Sequence, residues 1–278
     1  MKIGFIGTGN MGTALIKGYI QANPGMEKDI SAYDISEENL NELVNETGIN
    51  KCGSIKDVVV KSEILILAVK PNTIAEALKE LAAAAGWGKK LIVSVAAGVS
   101  LKYICDCCKE FSGFSGEDSD FSCKAVRVMP NTPALVGAGM SALSKSPHVS
   151  DDEFKNVLEI FRAVGLAEEV DEGLIDSVVG VSGSAPAYVY MFIESLADGA
   201  VSLGMNRKQA YIFAAQAVAG SAEMVLKTGV HPGELKDRVC SPGGTTIEAV
   251  EVLEQKGFRS AVVAAVKAAG AKSAKMTK

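Results

Sequence analysis

A glycine-rich turn close to the start of the chain limits the folds that are open to it. Residues 2–6 form an apolar, strand-like run that leads directly into residues 7–12, GTGNMG, and then into a helical pattern. In this geometry Gly7 makes a tight turn, Gly9 lets the backbone approach a pyrophosphate, and Gly12 lets the helix pack closely on the strand. Free N–H groups at the helix start favour a bound anion. The context on both sides therefore predicts a dinucleotide-binding unit and not a flexible glycine turn.

Chain length and charge narrow the class of protein. A chain of 278 residues, 48% of them hydrophobic, is long for one compact domain and sufficient for two. The formal net charge of −5 provides no basic surface for a polyanion, so we expect no nucleic-acid partner. Met1 stands directly before a strand without a secretory leader, and the longest apolar helical stretch, 210–226, is interrupted by Gln216 and Glu223. We expect a cytoplasmic protein without a membrane segment, in which helix 210–226 is buried in protein.

Six cysteines lack both the spacing of a disulfide framework and the paired spacing of a CxxC metal site. Cys105, Cys107, Cys108 and Cys123 lie close together in the sequence, and neither of the two histidines is near them. A metal site or redox sensing is a weaker alternative here to ordinary free thiols. We therefore expect no metal.

Apolar runs alternate with helical patterns through the first half of the chain. Residues 64–69 and 91–95 have the continuous apolar character of strands that are buried on both faces of a parallel sheet. Further strands are expected at 29–33, 138–143 and 167–170, and helices at 11–21, 36–46, 54–61, 73–85 and 151–164. This order predicts an α/β fold in which residues 1–170 form a Rossmann-type, doubly wound parallel sheet. Residues 109–122 are rich in serine, glycine and acid, and we expect a long surface loop without chemistry there.

Asp34 stands at the end of the second predicted strand and follows Gly12 by 22 positions. In a dinucleotide-binding unit, an acidic side chain at this point accepts hydrogen bonds from the adenosine ribose. Its charge repels a 2′-phosphate, so we expect NADH to be favoured over NADPH. The alternative is that Asp34 only starts a turn or caps the next helix.

Ligands of doubly wound sheets bind beyond the carboxyl ends of the strands. Three further strand ends are predicted to line the cofactor, at 69–71, 95–98 and 129–133. Lys70 is expected to face the cofactor, and a solvated surface lysine is the alternative.

From residue 171 onward, alanine-rich apolar helices follow one another without a convincing strand. We therefore predict a second, all-helical domain over residues 171–278. Several of its helices are apolar around most of their circumference, which implies burial on all sides. Because a domain of this size does not easily cover so much apolar surface alone, we predict a homodimer with interlocked helices.

Two glycine-punctuated helix starts stand out in the helical half, at 182–187 and 240–246. In the second, consecutive backbone N–H groups and the hydroxyls of Thr245 and Thr246 converge at the positive end of a helix, which suits a small carboxylate. A simple helix cap by either threonine is the alternative. The lack of a Ser/His/Asp cluster disfavours hydrolysis, whereas hydride transfer needs little acid–base machinery because the nicotinamide supplies the chemistry.

Seven segments along essentially the whole chain carry a resemblance to a known family. They are residues 5–11, 68–71, 96–99, 127–133, 174–176, 182–188 and 241–246. Together they resemble delta-1-pyrroline-5-carboxylate reductases; the first motif is common to many dehydrogenases, and the last two are far more specific. The resemblance implies NAD(P)H-dependent reduction of the cyclic imine 1-pyrroline-5-carboxylate to L-proline, the last step of proline biosynthesis. It also implies an intertwined dimer, which in the family often assembles into decamers.

The resemblance further implies roles for individual residues. The substrate carboxylate and ring would be held by Ser241, Gly243, Gly244, Thr245 and Thr246, with the catalytic hydroxyl of Thr246 beside the imine nitrogen. Glu172 and Val239 are weaker substrate-binding candidates. The imine proton would come through Thr246 and water, or from solvent before binding. The cofactor-binding candidates are Ile6, Gly7, Thr8, Gly9, Asn10, Met11, Gly12, Asp34, Ala68, Val69, Lys70, Pro71, Ala96, Ala97 and Asn131.

The sequence departs from the family's pattern in two places. Some relatives carry serine or asparagine, sometimes with arginine, near the position of Asp34, so the preference for NADH rests on a local argument only. The segment 109–122 is longer and more acidic than the family leads us to expect.

Two other functions remain open from the sequence. The first is another imine reductase or a beta-hydroxyacid dehydrogenase on the same scaffold, although the latter would place a catalytic lysine in the segment that corresponds to 182–188, where none occurs. The second is a non-catalytic, NAD(H)-sensing regulatory protein, which needs the glycine turn but no carboxylate-binding helix start such as that at 240–246.

Overall fold

The computed structural model describes residues 1–113 and 121–278. It divides into two compact units, the first made of residues 1–183 with 269–278 and the second of residues 184–268. The boundary that the sequence predicts between residues 170 and 171 falls inside the first of these units. That domain boundary stays a prediction.

The first unit contains an eight-stranded sheet with the strand order β3-β2-β1-β4-β5-β6-β7-β8. The strands are β1 Ile3–Ile6, β2 Ile30–Tyr33, β3 Asn50–Lys51, β4 Ile64–Leu67, β5 Leu91–Ser94, β6 Ala125–Met129, β7 Gly139–Lys145 and β8 Gly165–Glu169. Ile6 lies opposite both Tyr33 and Leu67, so the carboxyl ends of β1, β2 and β4 are level. The doubly wound, mostly parallel sheet is confirmed.

Two strands of this sheet, β7 and β8, run against the other six in a way that the sequence did not indicate. β7 pairs with β6 antiparallel and with β8 parallel. Only residues 130–138, with a short 3₁₀ turn at Thr132–Val136, connect β6 to β7. A parallel return needs a crossover of about a dozen residues or more, so this short connection reverses the strand.

Helices cover both faces of the sheet. They are α1 Asn10–Ala22, α2 Glu37–Thr47, α3 Ile55–Lys61, α4 Ile74–Ala82, α5 Leu101–Phe111, α6 Asp151–Arg162 and α7 Ile175–Val178. Side chains of α1, α2 and α6 form one buried cluster with the sheet, and those of α3, α4 and α5 form another. The capping box expected from the sequence at α6 is present, with Ser150 and Glu153 as its members.

The loop predicted over 109–122 is wrong at its start, since Lys109, Glu110 and Phe111 form the last turn of α5. Apolar residues at a helical spacing of three or four continue the helix there, with Cys107 and Cys108 on its buried side. Residues 114–120 of the predicted loop lie outside the described residues.

The second unit is helical throughout residues 184–268, as predicted. Its helices are α8 Ala185–Ser202, α9 Arg207–Thr228, α10 Pro232–Val239, α11 Thr245–Gln255 and α12 Phe258–Met276, the last of which ends in the first unit. Within this unit the rings of Phe192 and Phe258 pack with their centroids 5.9 Å apart.

The apolar helices of the second unit are largely uncovered in a single chain. In a single chain only Ala210 and Ala214 of α9 are buried, so the burial predicted for this helix requires cover by a second chain and stays a prediction. Tyr190, Met191 and Phe213 expose 61–67% of their surface. Large exposed apolar side chains of this kind are typical of a protein interaction face.

Among the helices of residues 1–113 and 121–278, none combines the length and the apolar character that a membrane crossing needs.

Candidate active site

The turn after β1 is fixed by a glycine that no other residue replaces without strain. The N–H of Gly7 donates to the carbonyl of Tyr33 at 2.8 Å, and its φ is +100°. A Cβ on Gly7 would lie 2.6 Å from the carbonyl oxygen of Ala68. The turn therefore packs directly on the carboxyl ends of β2 and β4, which is the switch point where this sheet order binds its ligands.

The other two glycines of the turn differ sharply in their surroundings. A Cβ on Gly12 would lie 2.3 Å from the carbonyl oxygen of Gly7, so the helix and the turn are in contact there. Around Gly9 the described part of the chain leaves the space for a Cβ open to 4 Å, and Gly9 and Asn10 are exposed. Gly9 is the N-cap of α1 and provides no side chain to satisfy its first N–H groups. The turn thus presents free donors and empty space at a helix N-terminus, which fits a phosphate group.

Asp34 is bonded to the same turn. Its Oδ2 accepts hydrogen bonds from the N–H of Thr8 at 2.5 Å and from the Thr8 hydroxyl at 3.0 Å. Its Oδ1 accepts from the N–H of Ser36 at 2.8 Å. The cap of α2 is Ser36, whose Oγ accepts from the N–H of Asn39, so Asp34 starts the turn but does not cap the helix.

Ile35 is a residue that the sequence analysis did not select. Its side chain is 89% exposed although it follows directly on the acidic residue at the end of β2. An isolated exposed apolar residue needs no explanation in general, but here it stands beside the expected adenosine position. The feature of the sequence that could have identified Ile35 is an isoleucine that belongs to no strand pattern.

The ends of β4 and β5 lie beside the glycine turn, in the order that the sheet imposes. The N–H of Ala68 donates to the carbonyl of Ile6 at 2.8 Å, and the N–H of Val95 donates to Leu67 at 3.1 Å. Lys70 and Pro71 are exposed beyond β4, and Ala97 is exposed beyond β5, whereas Ala96 is buried. The structure therefore brings these predicted cofactor residues to one edge of the sheet.

Asn131 stands just beyond β6 and uses both ends of its side-chain amide within the first unit. Its Nδ2 donates to the carbonyl of Ser182 at 3.2 Å, and its Oδ1 accepts from the N–H of Met140 at 2.8 Å. Ser182 lies in a single π-helical turn, Val179–Gly183. Such turns are rare and frequently occur at functional sites. Asn131 holds this turn at the carboxyl end of β6.

Glu172 has a structural role in the first unit. Its Oε1 accepts from the N–H of Leu101, the first residue of α5, at 2.8 Å and from Nη1 of Arg127 at 3.0 Å. The Arg127 side chain is only 6% exposed, so this is a mostly buried ion pair that joins β6 to the start of α5. Arg127 was not selected as a site residue from the sequence.

The segment 241–246 in the second unit forms a tight turn that leads into α11. The N–H of Gly244 donates to the carbonyl of Ser241 at 3.0 Å, and Gly243 has a φ of +64°. Gly244 is the N-cap of α11, which has no side-chain cap among the described residues. The alternative that Thr245 or Thr246 caps the helix is therefore wrong, and both hydroxyls belong to the first turn of α11. Val239 ends α10 and is 64% exposed.

The thiols near α5 have the character of ordinary buried cysteines. Cys108 and Cys123 are buried and Cys105 is partly buried. The contact with the Cys123 thiol, together with burial, raises the pKa of Cys105 above its usual value, so this thiol stays protonated at neutral pH. Thiolates are the metal ligands and nucleophiles. In the described ranges no three His, Cys, Asp or Glu side chains are grouped so that they could hold a metal ion.

Two family models match the chain in its two halves. Residues 172–276 match a model described as pyrroline-5-carboxylate reductase dimerisation. Residues 2–98 match a model described as NADP oxidoreductase coenzyme F420-dependent.

Whole-chain comparisons agree with the first of these models. The pyrroline-5-carboxylate reductase of Escherichia coli (strain K12) is 48% identical over 277 residues, which cover 100% of this chain and 98% of that one. The chain belongs to the pyrroline-5-carboxylate reductase family. The resemblance drawn from the seven sequence motifs is thereby confirmed.

Two solved structures of the family share the fold over nearly their full length. A pyrroline-5-carboxylate reductase from Coxiella burnetii has a TM-score of 0.90 at 32% identity and covers 100% of this chain, with 98% of its own length covered. A pyrroline carboxylate reductase from Plasmodium falciparum, solved with NADP bound, has a TM-score of 0.83 at 33% identity with the same coverage. The N-terminal Rossmann-type domain and the C-terminal helical dimerisation domain are confirmed as the fold of this chain.

Proposed function

We propose that this chain reduces 1-pyrroline-5-carboxylate to L-proline with a reduced nicotinamide cofactor, as an oxidoreductase of proline biosynthesis. The observation that carries the proposal is the full-length identity of 48% with the Escherichia coli reductase. The glycine turn at the switch point of the sheet supports it, because the open space at Gly9 and the uncapped start of α1 suit a pyrophosphate.

For the cofactor we propose binding across the carboxyl edge of the sheet. Residues 7–12 would hold the pyrophosphate, Asp34 the adenosine ribose and Ile35 one face of the adenine. The ends of β4, β5 and β6 would support the nicotinamide end through Ala68, Val69, Lys70, Pro71, Ala96, Ala97 and Asn131. When bound, the reduced nicotinamide supplies the hydride.

We favour NADH over NADPH. Three carboxylates stand at the place where a 2′-phosphate would lie, namely Asp34 at the end of β2 and Glu37 and Glu38 in the first turn of α2. Lys51 is 3.5 Å from the carboxylate of Glu37 and is therefore already paired there. Like charges disfavour the additional phosphate, so the local electrostatics support NADH.

For the substrate we propose the turn and helix start at 241–246. The substrate carboxylate would accept hydrogen bonds from backbone N–H groups at the N-terminus of α11, where the helix dipole also favours an anion. Ser241 and Thr245 would complete this contact, and the Thr246 hydroxyl, which is not spent on a cap, would orient the imine nitrogen. Glu172 and Val239 would be weaker contributors to substrate binding. The bonds of Glu172 to Leu101 and Arg127 favour a role in supporting the first unit over direct contact with the substrate.

The residues of this chain would then have three tasks in the reaction. Residues 241–246 would fix the substrate ring so that its electrophilic imine carbon meets the hydride donor. The Thr246 hydroxyl holds the nitrogen that gains a proton, which arrives through this hydroxyl and water or from solvent before binding. The glycine turn at residues 7–12 would hold the pyrophosphate of the cofactor and so fix where the hydride donor lies.

For assembly we propose a homodimer with interlocked helical domains that associates further into a decamer in the manner of the family. The exposed aromatic and apolar side chains of α8 and α9, such as Phe213 at 61%, support this cover by a second chain. The cytoplasmic location expected from the sequence stays a prediction.

The test is an assay with purified protein, NADH and 1-pyrroline-5-carboxylate, in which oxidation of NADH and formation of L-proline are both measured. We expect the two to proceed in equal amounts. Binding of NADH without any substrate-dependent oxidation would favour a cofactor-sensing protein, and turnover with other cyclic imines or hydroxyacids alone would favour a different reductase.

A further inference from the structure

The segment Ala269–Lys278 belongs to the first compact unit, although most of it is the end of α12, which begins in the second. It packs there against residues that are distant in the sequence. The Ser273 side chain is buried, at 8% exposure, and its hydroxyl donates to Oδ1 of Asp176 at 2.6 Å. A Cβ on Gly270 would lie 3.1 Å from the Asp176 carbonyl oxygen, so the two backbones are in close contact.

The end of this segment is bonded to the turn between β5 and α5. The N–H of Lys278 donates to the Gly98 carbonyl at 2.9 Å, and the Lys278 carbonyl accepts from the Ser100 hydroxyl at 2.6 Å. Gly98 has a φ of +71°, and a Cβ there would lie 3.1 Å from the carbonyl oxygen of Met276. The segment therefore touches the turn with main-chain atoms of Met276 and Lys278.

The same turn is held from a second direction. Ser100 caps α5 by accepting from the N–H of Tyr103, and Glu172 accepts from the next N–H, that of Leu101. Glu172, which bonds to the start of α5, and Asp176, which bonds to Ser273, lie in one short stretch after β8. The turn and the segment are therefore both anchored on the same part of the chain. Ala97, directly before Gly98, is exposed at the carboxyl end of β5.

We propose that the segment Ala269–Lys278 is a positioning clamp for the β5–α5 turn, and that it keeps residues 96–98 in the shape that receives the nicotinamide end of the cofactor. A turn with a left-handed glycine and an exposed backbone has many conformations when it is free, and fixing it before binding removes that entropic cost from cofactor association. The inference rests on the proposed cofactor site, but not on the identity of the substrate.

The test compares two forms of the chain that differ only at the clamp. A chain shortened by Lys278 loses the two short hydrogen bonds to Gly98 and the Ser100 hydroxyl, and a longer one of 3.4 Å from the Ser100 N–H. Lys278→Ala keeps these bonds and removes only the side chain. The dissociation constant for NADH is measured by titration of cofactor fluorescence without substrate, together with the number of binding sites and the melting temperature.

The clamp predicts that the shortened chain binds NADH roughly fivefold to tenfold more weakly, the size expected from losing one or two hydrogen bonds. The number of sites and the melting temperature should stay close to those of the parent, and Lys278→Ala should bind like the parent. An unchanged dissociation constant in the shortened chain, or an equal loss in Lys278→Ala, would overturn the clamp.

A second pair of variants covers the case in which the shortened chain fails to fold. Ser273→Ala removes the bond to Asp176, and Ser273→Thr retains the hydroxyl. Weaker NADH binding in the first that the second restores supports the clamp, and equal binding by both contradicts it. Since NADH binding is measured without substrate, a parent protein that binds NADH but makes no proline would refute the proposed reaction and leave this result intact.

Discussion

The carboxylate of Asp34 and the backbone N–H of Thr8 are joined by a hydrogen bond of 2.5 Å, with the Thr8 hydroxyl 3.0 Å from the same oxygen. Thr8 lies between Gly7 and Gly9 in the glycine turn. The residue that the sequence marks for ribose recognition is therefore also a support of that turn. Changes at Asp34 should accordingly alter both the affinity for the cofactor and the choice between its two forms.

We expect Asp34→Ser to bind NADH about tenfold more weakly and to narrow or reverse the preference over NADPH. The exchange removes the carboxylate that supports Thr8 and also the repulsion of a 2′-phosphate. Asp34→Asn is the matched control, because it keeps a carbonyl acceptor for Thr8 and removes the charge, at the cost of the acceptor for the Ser36 N–H. Dissociation constants for both cofactors decide the matter, and a ratio that neither exchange moves would limit Asp34 to its structural bonds.

Exchanges at the two remaining glycines of the turn should separate binding from stability. Gly9→Ala adds a methyl group where the described chain leaves open space, so the melting temperature should hold while NADH affinity falls roughly tenfold or more. Gly12→Ala places a Cβ 2.3 Å from the Gly7 carbonyl, so it should lower the melting temperature as well as the affinity. Equal NADH affinity in Gly9→Ala and the parent would contradict binding of the pyrophosphate at this turn.

Asn131→Asp tests the role of the π-helical turn. The carboxylate retains an acceptor for the N–H of Met140 but loses the donor to Ser182 and repels its carbonyl. We expect kcat to fall about tenfold with a smaller change in the dissociation constant for NADH, because the turn leads into the helical half and not to the phosphates. Asn131→Gln is not a control, since its longer side chain shifts both bonds. A variant with parent kinetics and parent melting temperature would show that the turn holds its shape without Asn131.

Thr246→Ala should lower kcat by a factor of ten or more and leave the dissociation constant for NADH nearly unchanged. The hydroxyl stands in the first turn of α11 without a capping role, so its loss should not destabilise the helix start. Thr246→Ser keeps the hydroxyl and should recover most of the rate. Steady-state kinetics with varied substrate provide the measurement, and equal turnover in the alanine and serine variants would exclude a role at the reacting centre.

Much of the fold follows from local sequence signals. The glycine turn, the apolar strands such as 64–69 and the capping box at Ser150 and Glu153 each depend on neighbouring residues, and the structure has all three. β3, with only Asn50 and Lys51, is too short for a periodic signal. The reversal of β7 depends on the length of a connection and not on the residues of the strand.

The site was predictable in part for the same reason. The glycines of the turn were predictable because each meets a backbone constraint. Gly7 has a φ of +100°, and Gly12 contacts the turn. The engagement of Asn131 with Ser182 and of Glu172 with Arg127 joins residues 45 or more positions apart, which no single-sequence pattern reports. In a single chain α9 is largely exposed, and an apolar sequence alone does not distinguish cover within a chain from cover by a partner.

The most direct test of the central claim follows the hydride itself. Protein is incubated with NADH that carries deuterium at the transferable position of nicotinamide C4 and with unlabelled 1-pyrroline-5-carboxylate, and the product is analysed by mass spectrometry and NMR. The proposed reaction predicts one deuterium per molecule of L-proline, bound at ring carbon C5, with one NADH oxidised for each proline formed. Proline without deuterium, or oxidation of NADH without proline, would contradict it.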